Sequence, residues 1–245
     1  MRAKPALPDD GRRRFVGGAL GAGLLGLAGE AGAARGPVMP PLCTLTPELT
    51  QGPFYIDQAL VRSDIRDRRP GLPLRLRVVL MDTARGCARV PGAVASIWHC
   101  DAGGRYSGVE RDDPPPDGAS APRPVAGPAA PGNAQRFLRG VQTTRRDGSA
   151  QFLTIYPGWY APRAVHIHLK IHLGEQAVLT TQMFFDDRVS RVVHTTHPAY
   201  RARGPSPVAT RQDPLAGAHP GLVIVHRTSE GALLEGEFLV GVALA

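Results

Sequence analysis

The chain has 245 residues, with 29 Lys and Arg against 21 Asp and Glu, and 29 Gly and 24 Pro. That length suits one large β domain or two small ones, and the composition is turn-rich and globular. The net charge of +8 would suit a nucleic-acid partner, but it lies in a basic leader and in scattered arginines, not in a stripe. Nucleic acid is therefore not expected as a partner, whereas small anionic substrates would be drawn to such a surface.

Residues 1–35 read as an export signal. Arg12-Arg13-Arg14-Phe15-Val16 fits the twin-arginine pattern, R-R-x-F followed by an apolar residue. A mild Gly/Ala/Leu run from Val16 to Ala28 follows, then a small-x-small cleavage site at Ala31-Gly32-Ala33. The run is too short and too Gly-rich for a stable membrane anchor. A periplasmic or extracellular location is expected, and residues 36–245 are expected to form one domain.

After a Pro-rich linker, Thr46 to Tyr55 reads as extended chain with a turn at Gly52-Pro53. Residues 72–82 alternate as a half-buried strand does, with Leu72, Leu74, Leu76 and Val78 on one face. Residues 93–100 form a second strand, apolar enough to be central, and a turn then places Tyr106 at a strand end. Seven prolines make 111–135 a long irregular surface loop. Phe137–Thr144 and Gln151–Tyr156 are expected to pair as a hairpin around Arg146-Asp147-Gly148. Residues 178–185 make a further strand, 187–193 a short helix, and 222–243 a last hairpin around Ser229-Glu230-Gly231. The expected fold is all-β, an antiparallel sandwich with long irregular loops and little helix.

The chemistry gathers in residues 152–168, which end in His166-Ile167-His168. Strand alternation turns both histidines to one face, where two imidazoles can share one metal ion. Tyr156, Tyr160 and Arg163 lie just upstream. Phenolates are hard, strongly donating anions that favour an oxidised metal such as Fe(III), and the arginine suits an anionic substrate. His172 shares the face but lies about 13 Å along the strand from His168, too far to join the same ion. His99 is expected to be packed beside Trp98, and His194 and His197 to face solvent from a polar loop.

Three segments together resemble the intradiol ring-cleavage dioxygenases, the catechol and protocatechuate dioxygenase superfamily. They are Ile97-Trp98-His99-Cys100-Asp101-Ala102-Gly103-Gly104-Arg105-Tyr106-Ser107-Gly108, then Tyr156 to His168, then Thr181-Gln182-Met183-Phe184-Phe185. They occur in that family's order, and the resemblance covers roughly residues 43–200. The likeness is to its short, exported, single-chain members. It implies a mononuclear non-haem Fe(III) held by Tyr106, His166, His168 and a second tyrosine. Short members carry that tyrosine in P-G-x-Y-x-x-R-x-x-H-x-H, which fits Tyr160. Larger members place it in a Y-P step, which Tyr156 resembles. Tyr160 is preferred.

The resemblance further implies catalytic roles for Arg163, Tyr160 and Gln182, and a substrate pocket lined by Gly52, Pro53, Phe54 and Tyr55. The partners would be a small aromatic diol and O2, with both oxygen atoms entering the product as the ring opens to a cis,cis-muconate-type diacid. A carboxylated substrate would need another cation, for which Arg105 or Arg139 would have to lie close by. Two other readings stay open. H-x-H on a sandwich also suits a copper or zinc enzyme such as a superoxide dismutase, and the fold could serve a non-catalytic binding module. Metal content separates the first and turnover the second. Homo-oligomerisation and the identity of the catechol are left open.

Cys43, Cys87 and Cys100 permit one disulfide in an oxidising compartment. The sequence does not choose the pair. Cys43 with Cys87 is preferred, because Cys100 lies in an apolar, strand-like run.

Overall fold

A computed structural model describes residues 43–57, 60–109, 132–216, 221–227 and 233–244. The leader, the Pro-rich linker, most of the 111–135 loop and the Ser229-Glu230-Gly231 turn lie outside the described residues. Nine strands are described: β1 (Pro73–Asp82), β2 (Ala88–Arg89), β3 (Val94–Trp98), β4 (Arg139–Thr143), β5 (Ser149–Ile155), β6 (His166–Leu173), β7 (Gln176–Phe184), β8 (Ile224–Arg227) and β9 (Leu234–Val242). Two helices, α1 (Asp187–Thr196) and α2 (Pro198–Arg201), follow β7. No helix among the described residues is long and apolar enough to cross a membrane.

The strands form two sheets packed face to face. The first runs β2–β1–β9–β8, with β5 also paired to β1, and the second runs β4–β3–β6–β7. Alternation decides which side chains enter the core. From the first sheet come Leu74, Leu76, Val78, Phe152, Phe238 and Val240; from the second come Ala95, Ile97, Ile167, Leu169, Ile171 and Met183. Full burial of such side chains contributes about 1.5–3 kcal/mol each. Arg75 and Arg77 take the opposite face of β1 and pair across to Glu235 and Glu237 on β9. The all-β sandwich is as expected, but it is not wholly antiparallel. β1 and β9 run parallel through nine register pairs, from Leu74 with Leu234 to Asp82 with Val242. No local turn can make a parallel pair, so sequence neighbours give no hint of it.

β3 is central, flanked by β4 and β6. β6 and β7 form a hairpin around Gly174, and β8 and β9 pair as the expected last hairpin. The expected hairpin of residues 137–144 with 151–156 does not form. A tight turn closes there, Gly148 N to Arg145 O at 2.9 Å. However, β4 pairs with β3 and β5 pairs with β1, so the turn passes the chain from one sheet to the other. Gly148 makes this possible. It has φ 70°, and an added Cβ would sit 2.7 Å from Leu80 O on β1.

His194 is a third correction. It is buried, not solvent-facing. Asp186 caps α1 by accepting from Arg188 N at 2.7 Å. The helix then turns Ser190, Val193 and His194 inward at the i, i+3, i+4 spacing. His194 Nε2 donates to Pro157 O at 3.1 Å, and its ring stacks on Tyr200. His197 is half-buried and accepts from Ala199 N at the start of α2.

Cys43 and Cys87 are joined by a disulfide, as preferred from the sequence, and Cys100 is a buried free thiol. The bridge spans 44 residues, for which loop entropy alone would give about 4 kcal/mol. Replacing both cysteines by serine should lower the unfolding free energy by about 2–4 kcal/mol in a denaturant titration. Thiol titration should find none reactive in the native protein and one per chain in denaturant. A rapidly reacting native thiol would contradict the burial of Cys100.

Candidate metal centre on the outer face of the second sheet

Cross-strand register builds the site. Trp98 pairs with Arg139 on β4 and with His168 on β6, and His168 pairs with Gln182 on β7. Directly paired residues share a face, so Arg139, Trp98, His168 and Gln182 form a row across all four strands. Ile97, Ile167 and Leu169 fill the sandwich core, so this row and His166 lie on the opposite, outer face. They are buried there all the same: His168 is 0% exposed, Gln182 1% and His166 2%. Irregular chain covers them. Residues 47–50 are fastened to β7 by Thr181 Oγ1 donating to Pro47 O (2.8 Å) and Gln182 Nε2 donating to Thr50 O (2.9 Å).

The two histidines bring their Nε2 atoms to one point. His166 Nδ1 lies 2.7 Å from Ala164 O. A carbonyl only accepts, so Nδ1 carries the proton and Nε2 is left as a donor to metal. The two Nε2 atoms are 3.2 Å apart. Two nitrogens each about 2.1 Å from one ion would be separated by roughly 3.0–3.4 Å. His168 Nδ1 is buried with no partner among the described residues. Its ring is held by Trp98, which stacks flat on it at 4.8 Å and 5°.

Two phenols complete the donor set. The Tyr106 hydroxyl lies 3.4 Å from His166 Nε2. The Tyr160 ring is 5.7 Å from both the His166 ring and the Tyr106 ring. Tyr156 is elsewhere. Its ring packs on Phe185 within the sandwich core and its hydroxyl meets Ser190 Oγ at 2.8 Å. The structure thus brings Tyr160, and not Tyr156, to the histidine pair. Tyr106 is not at a strand end as expected. It sits in a loop after β3, shaped by the Asp101 carboxylate accepting from Gly103 N and Arg105 N.

Burial governs the protonation of all four donors. It drives His166 down to about 3, with the nearby Arg163 charge adding to the effect, and drives His168 well below its ordinary value. It pushes Tyr160 up to about 12, against an opposing pull from Arg163, and holds Tyr106 well above its ordinary value. The imidazoles are therefore neutral ligands at neutral pH, while the phenols ionise only against a strong positive charge. A hard trivalent cation supplies such a charge, so the donor set fits Fe(III). Among the described residues, no group of three or more His, Cys, Asp or Glu side chains could hold a metal. A three-histidine zinc site is accordingly not formed, and His172 stays apart beyond a β-bulge.

Arg163 is buried, not part of a surface pair. Its Nε donates to Asp213 at 2.9 Å and its Nη2 donates to Gln182 Oε1. Asp213 also accepts from Ala164 N (2.7 Å) and Leu215 N (2.8 Å). Sequence reasoning missed Asp213. It lies in a long polar stretch with no motif around it, and the only clue was that a buried arginine needs a carboxylate. His99 accepts from Thr154 Oγ1 at 2.7 Å and donates to Cys100 O, so it ties the loop after β3 to β5.

The 52–55 element divides. Gly52 has φ 71°, and an added Cβ would lie 3.3 Å from His168 Cε1. Half-buried Pro53 follows it in the turn. Phe54 stacks on Tyr106 at 4.2 Å and meets Tyr160 edge-on. Tyr55 instead packs on Trp98 and under Lys170, with its hydroxyl on Asp57.

A family model for dioxygenases matches residues 46–218. Among solved structures, an intradiol ring-cleavage dioxygenase from Tetranychus urticae is 30% identical with a TM-score of 0.72, over 82% of this chain and 95% of that one. The dioxygenase domain of a dioxygenase carbohydrate-binding protein fusion from Streptomyces sp. SirexAA-E is 25% identical with a TM-score of 0.56, over 82% of this chain and all of that one (100%). A hydroxyquinol 1,2-dioxygenase from Pseudomonas putida DLL-E4, 18% identical with a TM-score of 0.56 over 82% of this chain and 67% of that one, is alike in fold. Comparison with curated proteins gives no match.

Removing Asp213 would strand a buried guanidinium. Asp213→Ala should cost about 3–5 kcal/mol in unfolding free energy of the metal-free protein. Asp213→Asn keeps acceptor capacity and should cost less. A loss below about 1 kcal/mol for the alanine variant would show the pair to be solvent-screened instead.

Proposed function

The chain belongs to the intradiol ring-cleavage dioxygenases, and from that premise we propose that it is an exported non-haem Fe(III) enzyme. It opens a catechol between its two hydroxylated carbons, using both atoms of O2, to give a cis,cis-muconate-type diacid. One observation carries the reading: two imidazole Nε2 atoms 3.2 Å apart, a tyrosine hydroxyl 3.4 Å from one of them, and a second tyrosine alongside.

His166 and His168 would hold the ion through Nε2, and Tyr106 and Tyr160 through their phenolate oxygens. When bound, Fe(III) supplies a chelating centre that takes the catechol as its dianion and makes the ring reactive towards O2. The protein's own groups do the rest. Ala164 O fixes the His166 ring, and the Trp98 stack fixes His168 and keeps water from that side. The Tyr160 oxygen has a high proton affinity in this dry site, which suits it to accept the proton that a catechol hydroxyl must lose. Arg163, locked by Asp213 and Gln182, holds a fixed positive charge beside Tyr160, where negative charge develops on the substrate. Gly52 leaves room beside His168, and Phe54 braces both phenols.

Two features support export: the Arg12-Arg13 leader and a disulfide that needs an oxidising compartment. Replacing both leader arginines by lysine should leave the protein in the cytoplasm. Unimpaired export of that variant would remove the twin-arginine reading.

The pure iron-loaded protein should be wine-red from tyrosinate-to-Fe(III) charge transfer, and catechol added without oxygen should shift the band. Tyr160→Phe should weaken the band, whereas Tyr156→Phe should leave it intact. Arg163→Met should lower kcat about 100- to 1,000-fold at unchanged iron content. A colourless protein with full metal occupancy would sink the Fe(III)–tyrosinate reading.

A further inference from the structure

Of the four donors, Tyr106 has the least regular support. His166 and His168 stand on β6, and Tyr160 is tied to the β6 approach by Arg163 N donating to Tyr160 O at 2.9 Å. Tyr106 rides on irregular chain between β3 and the residues beyond 109. Its upstream side is shaped by Asp101. Downstream, Gly132 N donates to Gly108 O and Asn133 Nδ2 to Val109 O, both at the far end, while the residue next to Tyr106 is gripped by the buried side chain of Arg139.

Arg139 is 5% exposed and stands at the start of β4, in register with Trp98. All of its described side-chain hydrogen bonds go to Ser107, the residue after Tyr106. Nη2 donates to Ser107 O at 2.7 Å, and Nε donates to Ser107 Oγ at 3.0 Å and to Ser107 O at 3.3 Å. The rigid guanidinium fork thus grips backbone and side chain together in one plane, a fixed geometry that a freely rotating ammonium does not impose. Ser107 Oγ in turn donates to Phe137 O at 2.6 Å. The root of the clamp is itself fastened, since Arg62 Nε donates to Arg139 O at 2.9 Å. Arg139 makes no ion pair with a carboxylate among the described residues. Its fork is committed to Ser107, so it is not a free cation for a substrate carboxylate.

We propose that Arg139 is a positioning residue: its fork onto Ser107 ties the Tyr106 loop to β4 and so sets where the Tyr106 oxygen stands relative to the His166–His168 pair. The row Arg139–Trp98–His168 makes this a rigid connection. One end of the sheet row stacks on a histidine donor, and the other end holds the loop of a tyrosine donor. The role in the reaction rests on the Fe(III) reading above, while the clamp itself does not.

The test compares wild type with Arg139→Lys, which keeps the charge and loses the fork, and Arg139→Gln. Amide hydrogen exchange of the metal-free full chain is read first. Both variants should speed exchange across residues 103–109 by about 10- to 100-fold, as expected for losing a charge-assisted hydrogen bond. Peptides covering His166–Leu173 should be unchanged. The iron-loaded variants should then keep one iron per chain, with the tyrosinate band shifted and kcat lowered more than KM is changed. Unchanged exchange at 103–109 would overturn the clamp. Equal acceleration in β6 would also overturn it, because Arg139 would then be a general stability residue. Faster loop exchange beside an unshifted band would overturn the positioning of Tyr106. Faster loop exchange beside a colourless iron-loaded wild type would overturn the Fe(III) reading, and with it the role of Arg139 in the reaction.

Discussion

Everything at the site depends on the flat stack of Trp98 on His168. The contact is a cross-strand pair, so the register of β3 on β6 sets it, not side-chain chance. The same register sends Ile97 and Ile167 into the core. A slip of one residue would turn the histidines inward and the isoleucines outward. The hydrophobic core and the metal donors are therefore specified by one alignment. Core packing, which is worth many kcal/mol, thus fixes the two histidines on β6, and the Trp98 stack and the Ala164 carbonyl then orient their rings.

The outer face of a sandwich sheet is ordinarily wet. Here it is dry because irregular segments cover it, fastened by Gln182, Thr181, Asp213 and Arg139. Dryness has two effects that act together. It strips protons from the imidazoles and keeps them on the phenols, so the four side chains are electrically quiet in themselves. On the Fe(III) reading proposed above, the same burial would favour a cation strong enough to displace phenolic protons, since weaker Lewis acids would not compensate the cost of two buried phenolates.

Much of this was legible in the sequence. Alternation exposed β1, the apolar run exposed β3, and H-x-H identified a face. The choice of Tyr160 over Tyr156 followed motif spacing; in the structure the Tyr160 ring lies beside His166, while Tyr156 is absorbed by the core beside Phe185. What could not be read was long-range or depended on burial. The parallel pairing of β1 with β9 joins residues with no local signal. The turn at 146–148 has hairpin chemistry, yet it links two sheets because Gly148 is caught against β1. His194 looked like a loop residue because the helix around it is short and polar on average. Asp213 and Arg139 are ordinary charged residues in sequence, and only their burial gives them roles.

The β1–β9 pairing also constrains how the molecule can be made. Arg75 and Glu235 are 160 positions apart, and their strands lie side by side. β1 sits in the middle of its sheet, so one of its flanks stays open until β9 has been synthesised and has returned. A ribosome adding about 5–20 residues per second leaves that flank bare for roughly 8–30 s. During that interval β1, with Leu74, Leu76 and Val78 on one face, is an unsealed strand edge of the kind that recruits other chains. The residues that alternate with them, Arg75 and Arg77, place two positive charges along that flank. Before they pair with Glu235 and Glu237 in the finished sheet, they repel a second copy of the same strand.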